Sequence, residues 1–153
     1  RRNECAYSLY RGARALARRF DFSRVHAHTL GYYVLYIDKR KARGMPAEYV
    51  DSLLLAAKAS EVRAALGHPP GTEDLLHPKF REISVSDAGL KQLRKFADGA
   101  KLKGARRTRL IEEGIAEFGD HYAFVVPAPI TPKPKSTVGL GDTISSTAFC
   151  SEP

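Results

Sequence analysis

The residues with the most chemical content are 136–145, which read Ser-Thr-Val-Gly-Leu-Gly-Asp-Thr-Ile-Ser. Glycines at 139 and 141 let the backbone come close to a ligand and take a positive φ if a turn requires one. The pattern reads as a glycine turn that opens a helix, with Asp142 in the helix's first turn. Free N–H groups at a helix start, aided by the helix dipole, attract a phosphate. A carboxylate beside that phosphate repels it, which is odd for simple anion binding. It fits a base that takes the proton of a hydroxyl attacking phosphorus. The plainer alternative is an acid complementing the helix N-terminus, worth a fraction of a kcal/mol to about 1 kcal/mol.

These residues have to be held in place by the rest of the chain. A strand-like run at 122–126 precedes the turn. Between the two lies a Pro-rich connection, 127–134, read as a semi-rigid segment that shapes a pocket. Upstream, Leu9, Ala13, Leu16, Ala17 and Phe20 keep a 3.6-residue period and predict a helix over 4–19. A short strand is expected over 22–29, with Val25 and Ala27 on one face and His26 and His28 on the other, followed by a turn at 30–33. Pro46 starts the clearest helix, with Val50, Leu53, Leu54, Ala57, Val62 and Leu66 as its buried stripe, and Gly67 with Pro69 and Pro70 stops it. A loop over 68–79 and a strand over 80–85 come next. Ser86 then caps a helix carrying Leu90, Leu93, Phe96 and Ala97. A further helix is expected over 105–118, with Leu110, Ile111, Ile115 and Phe118 inward. Helices alternating with strands predict an α/β layered domain.

The longer string Pro134-Lys135-Ser136-Thr137-Val138-Gly139-Leu140-Gly141-Asp142-Thr143-Ile144-Ser145-Ser146 closely resembles the C-terminal signature of the ADP-dependent sugar kinases. These are glucokinases and phosphofructokinases known best from archaea. Val25-His26-Ala27-His28-Thr29-Leu30-Gly31-Tyr32-Tyr33 resembles the family segment that lines the adenine pocket, and the two motifs stand in the family's order. The resemblance implies an α/β, ribokinase-like fold, with this chain as the C-terminal portion of the large nucleotide-binding domain. Residues 1–153 then form a single partial domain, the C-terminal third of such a kinase, with the sugar-binding lid absent. It also implies transfer of the terminal phosphoryl of ADP to glucose or fructose 6-phosphate, giving AMP, with Mg²⁺. Asp142 falls on the catalytic base, and the N–H groups of Gly139, Leu140 and Gly141 on the anion hole for the transferred group. His28, Thr29, Tyr33, Thr131 and Gly141 fall around the adenine. Tyr33 reads equally well as a ring stacked on the base or as a core aromatic. At the position of Thr131 the family tends to be apolar, so threonine is a mild departure. The acidic motifs that organise Mg²⁺ are expected upstream: Asn3-Glu4-Cys5-Ala6 lacks the final acid of an Asn-x-x-Glu pattern, and no metal ligand is assigned here. The isolated segment is therefore expected to be nearly inactive. The glycine motif does not distinguish the two sugar substrates, whose contacts lie elsewhere.

Composition sets the outer bounds. A length of 153 residues suffices for one domain with a real core, and 43% hydrophobic and 27% charged residues are ordinary for a soluble globular protein. No apolar run approaches a membrane span and no signal peptide is visible, although the chain begins at Arg1 without Met. A cytoplasmic location is expected, with Cys5 and Cys150 as free thiols. The histidines at 26, 68, 77 and 121 are too scattered for a metal site, and Glu112 and Glu113 point away from each other on a helix. The net charge of +8 raises a rival reading from another class, a non-catalytic nucleotide- or nucleic-acid-binding module using the basic residues of 91–109. No aromatic pattern, zinc finger or helix-turn-helix signature accompanies them, so a solvated basic surface is the preferred reading and nucleic acid is not expected as a partner.

Overall fold

The computed structural model describes residues 5–80, 85–129, 131 and 133–153. In chain order the elements are α1 (Ala6–Phe20), β1 (Arg24–His28), β2 (Tyr32–Asp38), α2 (Pro46–Leu66), α3 (Thr72–Leu76), a 3₁₀ turn (Pro78–Phe80), α4 (Asp87–Gly99), α5 (Gly104–Glu113), β3 (Ile115–Glu117), β4 (His121–Pro127) and α6 (Leu140–Ser151). The strands form one sheet in the order β1-β2-β4-β3, with every neighbouring pair antiparallel.

The alternation of β2 divides the core in two. Tyr32, Val34 and Tyr36 pack with Ala13, Ala17, Leu93 and Phe96 of α1 and α4. Tyr33, Leu35 and Ile37 pack on the other side with Leu53, Ala57, Ile144 and Ala148 of α2 and α6. Helices cover both faces, so all seven residues of β2 are buried. The result is the expected α/β layering around a sheet that is antiparallel.

Several local expectations hold. Pro46 begins α2, the Met45 N–H is bonded by Glu48 Oε2 at 2.6 Å, and Gly67 closes the helix at φ +84°. Ser86 caps α4 by accepting from the Gly89 N–H at 2.9 Å. Others are corrected. The expected turn at 30–33 is shorter, because β2 already starts at Tyr32 and continues to Asp38, a central strand whose apolar run carries no alternation. The helix expected over 105–118 stops at Glu113, where Gly114 takes φ +73° and its N–H bonds Leu110 O. Ile115 then belongs to β3. The loop at 68–79 contains the short α3. In α1 the inward face is Ala6, Tyr10, Ala13 and Ala17, while Leu16 (49%) and Phe20 (54%) are exposed. Leu54 and Leu90 likewise face outward. Of the strand expected over 80–85, residues 81–84 lie outside the described residues, and Val85 makes a single bridge to Pro129. Among the described residues, no helix is long and apolar enough to cross a membrane.

Candidate functional site

Strand direction brings two distant parts of the sequence to one edge of the sheet. β1 and β4 both run antiparallel to β2, which lies between them. The C-terminal ends of β1 and β4 therefore meet the N-terminal end of β2: His28 pairs with Tyr33, and Tyr32 with Pro127. Two backbone bonds fasten the chain beyond β4. The Ala128 N–H bonds Gly31 O at 2.9 Å, tying the exit of β4 to the β1–β2 turn. The Lys135 N–H bonds Ala64 O at 2.8 Å, tying the approach to the glycine turn to the end of α2.

The cavity at this edge has a volume of about 520 Å³. His28, Thr29 and Tyr33 line it from the hairpin, Thr131 from the Pro-rich connection, and Leu140 and Gly141 from the start of α6. Thr29 acts mainly as a builder: its Oγ1 accepts from the N–H groups of Gly31 and Tyr32 and donates to Tyr32 O at 3.0 Å, which commits the hydroxyl to the turn. Tyr33 is 2% exposed, its hydroxyl meets Ser60 Oγ at 3.2 Å, and burial pushes the phenol up. It is a wall of the cavity seated in the core. Thr131 Oγ1 donates to Glu61 O at 3.3 Å. The ring of His28 lies against Gly141, where an added Cβ would stand 3.2 Å from its Cε1.

Gly139 and Asp142 stand just outside this cavity. Gly139 takes φ +74° as the residue just before α6, and its carbonyl accepts from both the N–H and the Oγ1 of Thr143 at 3.0 Å. The N–H groups of Leu140, Gly141 and Asp142 have no partner among the described residues. Asp142 lines an adjoining cavity of about 330 Å³ together with Arg63.

Three residues of α2 enter the site without having been signalled by the sequence. Ser60 braces Tyr33 and donates to Ala57 O at 2.8 Å. Glu61 lines the cavity. Burial raises its carboxyl, Lys58 pulls it partly back, and Oε2 has no partner among the described residues. Arg63 reaches across to the glycine turn. Their one sequence signal is the place of Arg63 in the last turn of α2, which helix-dipole complementarity already explains.

The remaining histidines divide by surroundings. His26, beside His28 on β1, has both ring nitrogens unpartnered among the described residues. Burial first, then Arg24 and His28, lower it to about 4, so it is neutral near pH 7. His121 lies on the α1 side, bonded by Tyr10 Oη at 2.7 Å and by Asp120. Among the described residues no group of three His, Cys, Asp or Glu side chains could hold a metal ion. Two charges of the basic stretch 91–109 are paired: Arg107 with Asp98 and Arg109 with Glu113 and Glu117.

An α/β domain with a glycine turn at a helix start, next to a cavity of this size, is an architecture able to take an anionic small molecule. The chain belongs to the family described as the ADP-specific phosphofructokinase/glucokinase conserved region, whose model matches residues 2–151. It is 41% identical over 130 residues to the ADP-dependent glucose/glucosamine kinase of Pyrococcus abyssi, a match covering 84% of this chain and 25% of that protein. It is 36% identical over 149 residues to the ADP-specific phosphofructokinase of Methanosarcina acetivorans, covering 93% and 28%. A solved ADP-dependent kinase in complex with fructose-6-phosphate and ADPβS superposes with a TM-score of 0.84 at 33% identity, covering 94% of this chain and 30% of that one. These relatives bear out the expected ribokinase-like α/β class. The chain spans between a quarter and a third of the length of the proteins it matches.

Proposed function

We propose that this chain is the nucleotide-binding and catalytic-base segment of a cytoplasmic ADP-dependent sugar kinase. It is a single partial domain, the C-terminal third of that enzyme, and the sugar-binding lid is carried by the rest of the protein. The reaction moves the terminal phosphoryl of ADP to a hydroxyl of glucose or fructose 6-phosphate and releases AMP. The observation that carries this reading is convergence. Six of the residues assigned from the two motifs and the connection between them, His28, Thr29, Tyr33, Thr131, Leu140 and Gly141, line one cavity.

In this reading the adenine occupies the cavity between His28, Thr131 and Gly141, with Tyr33 as a wall. The diphosphate runs toward the start of α6, where free N–H groups and the helix dipole favour negative charge. Gly139, Leu140 and Gly141 supply the anion hole that stabilises charge spreading over the transferred phosphoryl. Asp142, outside the adenine cavity, takes the proton of the acceptor hydroxyl. The hydroxyl oxygen bonds to the β-phosphorus, the bridging bond to AMP breaks, and the proton remains on Asp142 until solvent removes it. The described residues offer no cluster fit for the Mg²⁺ implied by the family resemblance, so its ligands are assigned to the rest of the kinase. The ion pairs of Arg107 and Arg109 weaken the nucleic-acid alternative.

The test is Asp142→Asn in the complete kinase. Loss of general-base catalysis costs on the order of 10²–10⁴ in kcat, with the KM for ADP staying within about threefold. Turnover within tenfold of the parent refutes the assignment. Normal AMP binding by a complete protein that transfers no phosphoryl favours the non-catalytic module.

A further inference from the structure

We infer that Arg63 is the positioning residue of the glycine turn, holding the start of α6 in the geometry that phosphoryl transfer needs. This rests on the reading of 139–142 as the phosphoryl site. Arg63 leaves the last turn of α2 and grips the turn at three points. Its Nε donates to Val138 O at 3.3 Å, on the residue before the glycine. Its Nη1 donates to Thr143 Oγ1 at 3.0 Å, and that hydroxyl donates in turn to Gly139 O at 3.0 Å. Its Nη2 occupies the space that a Cβ on Gly139 would need, so the guanidinium itself packs against the glycine.

The arrangement explains features that the glycine motif alone leaves open. Gly139 is required twice over, by its φ of +74° and by the guanidinium filling its side-chain space. Thr143 acts as a relay, accepting from the arginine and passing the constraint to the glycine carbonyl. Gly139 O accepts both the N–H and the hydroxyl of Thr143, while the N–H groups of Leu140, Gly141 and Asp142 are free as in any helix's first turn. A planar guanidinium satisfies two acceptors in fixed directions while keeping its charge, and a lysine ammonium cannot reproduce that fork. Arg63 also borders the smaller cavity that Asp142 lines, but not the adenine cavity. Its effect therefore belongs to the chemical step. The α2–α6 contact has its own apolar support in Leu53, Ala57, Ile144 and Ala148.

The experiment compares Arg63→Ala, Arg63→Lys and Thr143→Val in the complete kinase. It measures kcat, KM for ADP, AMP affinity by calorimetry, melting temperature and rescue by added guanidinium. A turn displaced by about 1 Å costs about 10²-fold in rate. Arg63→Ala is expected to lose about that factor in kcat and to recover part of it with millimolar guanidinium. Arg63→Lys shows a similar loss without rescue, and Thr143→Val a smaller loss of the same kind. AMP affinity stays within threefold throughout. A kcat within threefold of the parent in Arg63→Ala overturns the inference. So does a loss of kcat matched by collapse of AMP affinity and melting temperature in both Arg63→Ala and Thr143→Val, since the arginine is then a brace of the fold. If Asp142→Asn leaves turnover intact, the site reading fails. If Asp142→Asn abolishes turnover and Arg63→Ala does not, only the role of Arg63 fails.

Discussion

Gly141→Ala is a change that separates function from stability. Gly141 is the second residue of α6, and it is not among the glycines with positive φ, so alanine meets no backbone strain there. Alanine is the better helix former by up to about 1 kcal/mol. The added methyl stands 3.2 Å from His28 Cε1, tighter than ordinary contact, and 3.6 Å from Nε2, so the exposed imidazole gives way by a few tenths of an ångström. The melting temperature should move by no more than about 2–4 °C in either direction. Both Gly141 and His28 line the cavity, and shifting one wall against the other costs about 1–2 kcal/mol of binding, as overpacking does. That is a loss of roughly 5- to 30-fold in AMP affinity by calorimetry. Gly139→Ala should do the reverse. Its φ of +74° costs alanine about 1–2 kcal/mol, and its methyl collides with Arg63 Nη2, yet Gly139 does not line the larger cavity. It should lower melting temperature and kcat while leaving AMP affinity within threefold. Unchanged AMP affinity in Gly141→Ala, or a larger affinity loss in Gly139→Ala, would refute the assignment of the cavity to the nucleotide base.

Two further outcomes test the packing around the site. His26 is lowered from 6.5 to about 4 by burial, so the stability tied to its neutral form is complete above pH 6.5 and lost as pH falls toward 4. His26→Phe should remove about 3 kcal/mol of that acid-side loss, measured as the difference in urea-unfolding free energy between pH 7.5 and pH 4, and an unaltered pH slope would show that the ring is not buried neutral. Tyr33→Phe should cost about 1 kcal/mol of stability through the lost bond to Ser60 and leave AMP affinity within threefold, whereas a tenfold loss would put the hydroxyl on the ligand.

The parts of the fold legible in the sequence are those with local chemical punctuation. Pro46 and Gly67 bound α2, Ser86 starts α4, and the aromatic and β-branched run before Pro127 makes β4. β2 is signalled by composition alone: helices cover both of its faces, so Tyr32 to Ile37 is an aromatic and β-branched run without alternation, and a search for period 2 passes over it. The end of α5 misleads for the opposite reason. Leu110, Ile111, Ile115 and Phe118 keep a helical spacing across Gly114, and only the left-handed conformation of that glycine shows that the chain has changed structure. In α1, alanines rather than leucines face the sheet, so ranking by hydrophobicity picks Leu16 and Phe20, which are exposed. The site obeys the same rule. Residues within the two motifs are readable, while Ser60, Glu61 and Arg63 depend on how α2 lies against parts of the chain far away in sequence.

Thr131 shows how a departure at the level of residue type can leave the chemistry of a wall intact. The resemblance places an apolar side chain here, and a free hydroxyl facing an adenine would add a polar group that needs a partner. Thr131 Oγ1 instead donates to Glu61 O on α2, which turns the hydroxyl to the helix. What remains for the cavity is the methyl and backbone of a β-branched residue, close in volume to valine. The same bond fastens the Pro-rich connection to α2 a few residues before Lys135 is fastened to Ala64. The connection, the glycine turn and α2 are therefore tied in succession, at Thr131, Lys135 and Arg63. One helix, α2, thus braces the connection that walls the larger cavity and the glycine turn that borders it.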